Sequence, residues 1–120
     1  MTTDQKFTCP CCGYLTIDEP PGSYDICHVC FWEDDPVQIL DPWYPGGANR
    51  LSLEESQKNV VTSGACDENG LQHARGVQPG DTRDPQWRLV TEEDKGKTKK
   101  PGDIDASEWG DLKIWYYWLQ

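Results

Sequence analysis

The sequence is poor in aliphatic residues and has no long hydrophobic run. Hydrophobic residues make up 36% of its 120 positions, against nine prolines and eleven glycines. No stretch approaches the ~20 apolar residues that span a bilayer, and the first residues, MTTDQKFTC, lack the apolar core of a secretion signal. We therefore expect a cytoplasmic protein without a membrane partner, folded as a single loop-rich domain over 1–120. Its small core should need a metal or a partner.

Basic residues are also scarce. Eleven lysines and arginines face 21 acidic residues, giving a formal net charge of −10. Nucleic-acid binding is not expected, because phosphate contacts need clustered lysine and arginine. An acidic protein suits a basic protein partner, whose approach its field accelerates; the simpler interpretation is that the charge keeps the chain soluble. The one basic cluster, Lys95 to Lys100, is predicted to be a weakly structured solvated loop.

The sequence offers little for catalysis. His73, with Cys66, Asp67 and Glu68 nearby in the chain, is the only local group of reactive side chains. No third group that would orient a nucleophile and no oxyanion donor stands out. We predict that the chain is not an enzyme and has no small-molecule substrate. A second metal site or a nucleophile pair at Cys66 and His73 remains as an alternative.

What the chain does have is a paired cysteine motif, CPCCG at 9–13 and CHVC at 27–30. Two CxxC pairs separated by fourteen residues are typical of a zinc site. Zinc takes four thiolates in a tetrahedron, and two intervening residues let one turn aim both sulfurs at the ion. We predict one structural Zn²⁺, closed to water and substrate, with four ligands: Cys9, Cys12, Cys27 and Cys30.

The residues within these turns support that ligand assignment. Pro10 presets φ for the first turn, and Gly13 allows the positive φ needed after the second ligand. Cys11 lies between two ligands, so its side chain is expected to point elsewhere. Replacement of one ligand by Cys11 or His28, and a redox role for one CxxC pair, are the alternatives.

The fold class predicted is small, loop-rich α+β, with three segments. Residues 6–50 form a zinc-ribbon-like knuckle segment, in which Val37 to Trp43 includes a short extended piece. Residues 51–90 hold one helix and loops; the helix covers about 52–64, with Ser52 as N-cap, Glu55 completing a capping box and Gly64 as stop. Residues 91–120 form a charged loop and an aromatic C-terminal segment, predicted to be one or more short strands docked in the core.

Acidic and aromatic side chains near the second knuckle and in the C-terminal segment are the predicted contacts for a protein partner. They are Glu33, Asp34, Asp35, Asp41, Trp43, Tyr44, Trp115 and Trp118.

Three sequence blocks in order carry a family resemblance: CPCCGYLTI, PPGSYDICHVCFWEDDPVQ and GGANRLSLEESQKNV followed by GAC. Together, over about Phe7 to Cys66, they resemble the cysteine-rich CPCC domain family of small bacterial proteins. His28 stands where the resemblance leads us to expect proline. The resemblance implies zinc binding by the same four cysteines, without established catalysis.

Such proteins are similar in size and setting to immunity proteins encoded beside polymorphic toxins. We predict an immunity protein that neutralises a cognate toxin with a basic cleft. The alternative is a zinc-ribbon adaptor of transcription, translation or chaperone machinery.

Overall fold

The computed structural model describes residues 6–120 of the chain. It begins with a two-stranded antiparallel sheet formed by β1 (Phe7–Thr8) and β2 (Leu15–Ile17). Phe7 pairs with Ile17 and Thr8 with Leu15, with an irregularity in register between the two pairs. The first cysteine knuckle is the loop that joins these strands, so the hairpin fixes both ends of the knuckle.

Two α-helices follow. The first, α1 (Pro36–Leu40), begins at Asp35, whose side chain accepts a hydrogen bond from the Val37 N–H at 2.9 Å. The predicted extended piece around Val37 is therefore wrong: an aspartate N-cap followed by proline at the first helical position starts a helix.

The second helix, α2 (Leu53–Ser63), confirms the sequence prediction. The Ser52 hydroxyl accepts from the Glu55 N–H at 3.1 Å, and Gly64 ends the helix in the left-handed region with φ +87°. An N-cap hydroxyl satisfies one free amide of the first turn, and glycine adopts the left-handed conformation without the clash of a side chain.

The rest of the ordered structure is short 3₁₀ helix. Among residues 6–120, six such helices span Asn69–Gln72, Glu92–Lys97, Pro101–Asp103, Glu108–Gly110, Leu112–Trp115 and Tyr117–Leu119. The predicted C-terminal strand is wrong, because a strand needs a neighbouring strand to pair with, and the sheet over residues 6–120 consists of β1 and β2 alone. The charged stretch after residue 91 is also more ordered than predicted, since Asp94 is buried and caps its turn.

The C-terminal segment lies in the core, as its aromatic content indicates. Tyr116, Tyr117 and Trp118 belong to the main buried cluster, together with the cysteines and Trp32. A smaller cluster joins Leu40 of α1 to two residues of the later chain, Ile104 and Leu112. None of the helices described is long and apolar enough to cross a membrane.

Gln57 of α2 connects the knuckle to the later chain. Its amide Nε2 donates to the Pro10 carbonyl at 2.9 Å and to the Tyr117 hydroxyl at 2.8 Å, while its Oε1 accepts from the Val90 N–H at 3.0 Å. The side chain is 2% exposed. Each buried polar atom of the amide has a partner, so the burial of Gln57 leaves no hydrogen bond unmade. The same bonds attach three distant parts of the chain to α2, at Pro10, Val90 and Tyr117.

Candidate metal centre

The two cysteine knuckles have the same backbone hydrogen bonds. In the first, the Cys9 carbonyl accepts from the Gly13 N–H at 2.8 Å, and the Cys9 N–H donates to Tyr14 O at 2.9 Å. In the second, the Cys27 carbonyl accepts from the Phe31 N–H at 2.7 Å, and the Cys27 N–H donates to the carbonyl five residues later at 2.9 Å. Each turn therefore presents its two sulfurs in the same way.

Each knuckle also needs one residue in the left-handed region, four positions after its first ligand. Gly13 has φ +82° and Phe31 has φ +71°. Glycine adopts this conformation freely, whereas a residue with a Cβ loses about 1–2 kcal/mol there. The Phe31 ring stacks on His73 with centroids 4.8 Å apart, a contact that offsets part of that cost. The sequence identified the need at Gly13 but gave no sign of it at Phe31.

The turns bring four sulfurs together. The Sγ atoms of Cys9, Cys12, Cys27 and Cys30 all lie within 4.8 Å of one another. Two of the separations, Cys9 to Cys30 and Cys12 to Cys27, are 3.7 Å. A tetrahedron with metal–sulfur bonds of ~2.3 Å has edges of about 3.8 Å, so the cluster fits a four-coordinate thiolate site. All four residues are at most 1% exposed.

The electrostatics of the cluster favour a bound cation. Burial raises the pKa of the Cys9 and Cys30 thiols, whereas hydrogen bonds from the surrounding thiols, first of all Cys12, hold the pKa of Cys27 below its usual range. The Thr16 hydroxyl lies 3.0 Å from Cys27 Sγ and adds to this stabilisation. The sulfurs thus stabilise the Cys27 thiolate among themselves, and ionising Cys9 and Cys30 beside it is favoured by a positive ion.

The alternative ligands lie outside this cluster. Cys11 is 1% exposed but is not among the four converging sulfurs, and His28 is exposed. Cys66 is buried, which raises the pKa of its thiol, while His73 is exposed and stacked on the ring of Phe31. Within residues 6–120, no second group of three or more histidine, cysteine or carboxylate side chains could hold a metal.

Three of the predicted partner contacts are buried, which corrects their assignment. Asp34 and Asp35 are each 1% exposed, and Trp118 is 8% exposed. Asp34 Oδ2 accepts from the backbone N–H of Gly22 at 2.8 Å and of Ser23 at 3.1 Å. Asp35 caps α1 and also accepts from a later loop. These carboxylates build the loops around the second knuckle and do not face a partner.

The other predicted contacts keep some exposure. Tyr44 is 45% exposed, and Glu33, Asp41, Trp43 and Trp115 are half-buried. Lysines cover both tryptophans: Lys95 Nζ lies 5.4 Å from the Trp43 ring centroid and Lys99 Nζ 5.5 Å from that of Trp115.

The structure adds an acidic surface that the predicted contacts did not include. Residues 103–111, DIDASEWGD, hold four carboxylates and no basic residue, and apart from Ile104 and Glu108 they are exposed. Trp109 within them is 37% exposed. The signal in the sequence is a run of acidic residues around a tryptophan.

The fold and the site define a class: a small α+β protein in which two equivalent knuckles form a buried four-cysteine metal site. The family model described as Cysteine-rich CPCC matches residues 7–81, and the chain belongs to that family. No curated protein matches it. The match ends before Arg83, whose Nη2 donates to the Cys12 carbonyl at 3.3 Å, and before Trp87, whose Nε1 donates to the Pro10 carbonyl at 2.9 Å. These contacts with the first knuckle therefore come from outside the matched range.

Proposed function

We propose that the chain is a non-catalytic protein in which one structural zinc ion, bound by the four cysteines, supports a surface that neutralises a cognate toxin. The observation that carries the proposal is the acidic surface at 103–111 on a chain of net charge −10. A toxin that acts on nucleic acid or nucleotides needs a basic cleft, and a carboxylate-rich surface is complementary to such a cleft.

The burial of the sulfurs supports a structural role for the metal. Four cysteine ligands satisfy zinc completely, and their exposure of 1% or less leaves substrate no route to the ion. Structural zinc sites contribute about 10–16 kcal/mol to the folding of small domains. That is large beside the core available to a chain with 36% hydrophobic residues.

The proposed contact surface lies on one side of the smaller core cluster. Leu40, Ile104 and Leu112 pack together, and α1 packs against the 3₁₀ helix Leu112–Trp115. Because Ile104 packs with Leu40, the last residue of α1, this packing brings the start of residues 103–111 to the end of α1, which Asp41 caps. Trp109 and Tyr44 would supply aromatic anchors, and the carboxylates around them would speed association and fix its orientation.

The experiment is an affinity purification from the native host with the zinc-loaded protein, followed by measurement of binding to the captured protein. We expect a single tight partner encoded by a neighbouring gene, and binding that weakens as salt increases from 50 to 500 mM, because exposed charges are screened. Capture of a subunit of transcription, translation or chaperone machinery would contradict the toxin proposal and favour the adaptor function. If no protein is captured, the proposal fails.

A pair of matched variants tests the surface itself. Asp105→Asn with Asp111→Asn removes two exposed carboxylates from the acidic surface, and Glu19→Gln with Glu93→Gln removes two exposed carboxylates elsewhere. Both pairs change the net charge equally, so the long-range field is matched. We expect the first pair to weaken binding about tenfold, corresponding to about 1.4 kcal/mol, and the second pair to change it less than twofold. Equal effects would reject this surface as the contact.

A further inference from the structure

Two adjoining cavities form an apolar groove along α2, which we call the α2 groove. One, of about 340 Å³, lies between α2 and residues 89–90; the other, of about 400 Å³, reaches the first knuckle at Cys11 and Cys12. The cavities share Gln57, Val61 and Leu89.

The walls of the α2 groove are apolar and open to solvent. Val61 is 68% exposed, Val77 58% and Leu89 45%, and the half-buried rings of Tyr14 and Trp87 line the inner end. Contiguous exposed apolar surface on a small protein is characteristic of a binding site. Because the walls are so exposed, a small molecule would leave much of its own surface in water, whereas sites for small molecules bury most of their ligand. A segment of another protein, covered from its far side by the rest of that protein, fits this shape better.

Arg83 supplies a positively charged side chain at the inner end of the α2 groove. Its guanidinium carbon lies 5.2 Å from the Tyr14 ring centroid and 5.0 Å from that of Trp87, and its Nη2 donates to the Cys12 carbonyl at 3.3 Å. The side chain is exposed, and within residues 6–120 no carboxylate forms an ion pair with it. A guanidinium has five N–H donors in a planar fork that matches a carboxylate. The stacked rings hold this fork in place before a ligand arrives.

The charged side chains at the other end of the α2 groove pair with each other. Lys58 and Glu54 line its other end and pair with each other at 2.7 Å. Among the side chains that line the α2 groove, Arg83 is thus the charged group left for a ligand on a chain of net charge −10, whereas the surface at 103–111 offers carboxylates. The two surfaces select partners of opposite charge.

We propose that the α2 groove binds a segment of a partner protein that inserts leucine-like side chains between Val61, Val77 and Leu89 and places a carboxylate on Arg83. The family match covers α2 and Val77, whereas Arg83, Trp87 and Leu89 follow it. Arg83 and one of the two rings under it, that of Trp87, are therefore contributed by the segment beyond the matched range, whereas Tyr14 lies within it. The proposed specificity for a carboxylate depends on that later segment. This site is independent of the acidic surface proposed above.

The test uses the full zinc-loaded chain, labelled with ¹⁵N, and two blocked tetrapeptides. One contains three leucines and a glutamate; the other has lysine in place of the glutamate. We expect both to shift backbone amide signals of residues around Gln57, Val61 and Leu89, with the glutamate peptide binding about fivefold or more tightly, because its carboxylate makes a charge-assisted contact.

Four variants separate the parts of the proposal. Arg83→Gln should abolish the preference for glutamate, and Arg83→Lys should retain part of it. Arg50→Gln is the matched control, because Arg50 also lacks an ion pair among the described residues but lines other cavities and not the α2 groove. This variant should keep the preference for glutamate. Val61→Asp should weaken the binding of both peptides. Val61 is 68% exposed, so the substitution is compatible with folding.

Several results would overturn the proposal. Equal affinity of the two peptides, signal shifts confined to residues outside the α2 groove, or a preference that survives Arg83→Gln would each do so. Tighter binding of decanoate than of the glutamate peptide at the same residues would show that the site takes a small amphiphile. Failure of the toxin proposal leaves these measurements unaffected, since they use no toxin and probe a different surface.

Discussion

Gly13→Ala is expected to separate the first knuckle from the segment that caps it. Gly13 has φ +82°, and a Cβ built on it would lie 2.5 Å from Trp87 Cδ2 and 3.0 Å from Cζ3. Contacts that short cannot be accommodated, so the indole must move. Its Nε1 donates to the Pro10 carbonyl at 2.9 Å, and Arg83 stacks on its ring. Both contacts would be lost with the displacement.

The magnitude follows from those contacts. The left-handed backbone costs about 1–2 kcal/mol with any Cβ. A lost hydrogen bond adds about 1 kcal/mol, and a lost cation–π contact adds about 0.5–1 kcal/mol. Gly13→Ala should therefore reduce the free energy of unfolding by about 2.5–4 kcal/mol. Gly64→Ala is the matched control: its φ is +87° and nothing lies within 4 Å of its added Cβ, so it should lose only about 1–2 kcal/mol.

The assay is urea unfolding of the zinc-saturated variants in both the native and the Trp87→Ala background. With the indole absent, Gly13→Ala should cost no more than Gly64→Ala, giving a coupling energy between positions 13 and 87 of about 2 kcal/mol. If Gly13→Ala costs the same amount in both backgrounds, the contact with Trp87 does not explain the requirement for glycine, and the argument from packing is wrong.

Three further predictions concern the site and the buried carboxylates. Cys12→Ser should release zinc and unfold the knuckle segment, whereas Cys11→Ser should retain one equivalent of zinc, as measured with a chromogenic chelator. Burial raises the pKa of Asp34 to about 6. Because the folded pKa lies above the unfolded value, the protonated carboxyl stabilises the fold at low pH, and this contribution is lost as the pH rises through 6. The free energy of unfolding of the native chain, measured relative to that of Asp34→Asn, should therefore fall by about 1 kcal/mol between pH 5 and 7.5. Arg88 holds the pKa of Asp94 well below its usual range through two hydrogen bonds of 2.8 Å. The stabilisation of the fold by the ionised carboxylate is complete above about pH 4 and is lost below it. Asp94→Asn should therefore lower the free energy of unfolding at pH 7 by about 2 kcal/mol and reduce the fall of that free energy below pH 4, as measured by urea unfolding at a series of pH values. An unchanged zinc content in Cys12→Ser, or parallel pH profiles for either carboxylate variant, would contradict the corresponding prediction.

Local chemistry explains which elements could be predicted from the sequence. The helix from Leu53 was predictable because its capping signals, Ser52 and Gly64, act within a few residues. The four-cysteine cluster was predictable because the CxxC spacing itself constrains the geometry. Both depend on contacts that are short along the chain.

The later chain was harder to predict, because its conformation depends on distant contacts. The aromatic alternation at 114–119 suits a strand, but no further strand is present over 6–120 to pair with it, and burial of Tyr117 against Gln57 decides its conformation. Aspartates beside the second knuckle looked like a charged surface because the sequence does not show that backbone N–H groups of Gly22 and Ser23 converge on Asp34. The sequence shows that these residues are charged, but whether they are exposed depends on the fold.

The bond between Gln57 and Tyr117 joins residues 60 positions apart, and it has a consequence for synthesis of the chain. Ribosomes add about 5–20 residues per second, so Tyr117 follows Gln57 by about 3–12 s. During that interval all four ligand cysteines have been made, but the aromatic residues that cover them have not. A nascent chain would hold reduced thiols without their cover, and early capture of the metal would protect them from oxidation before the C-terminal residues close over the site.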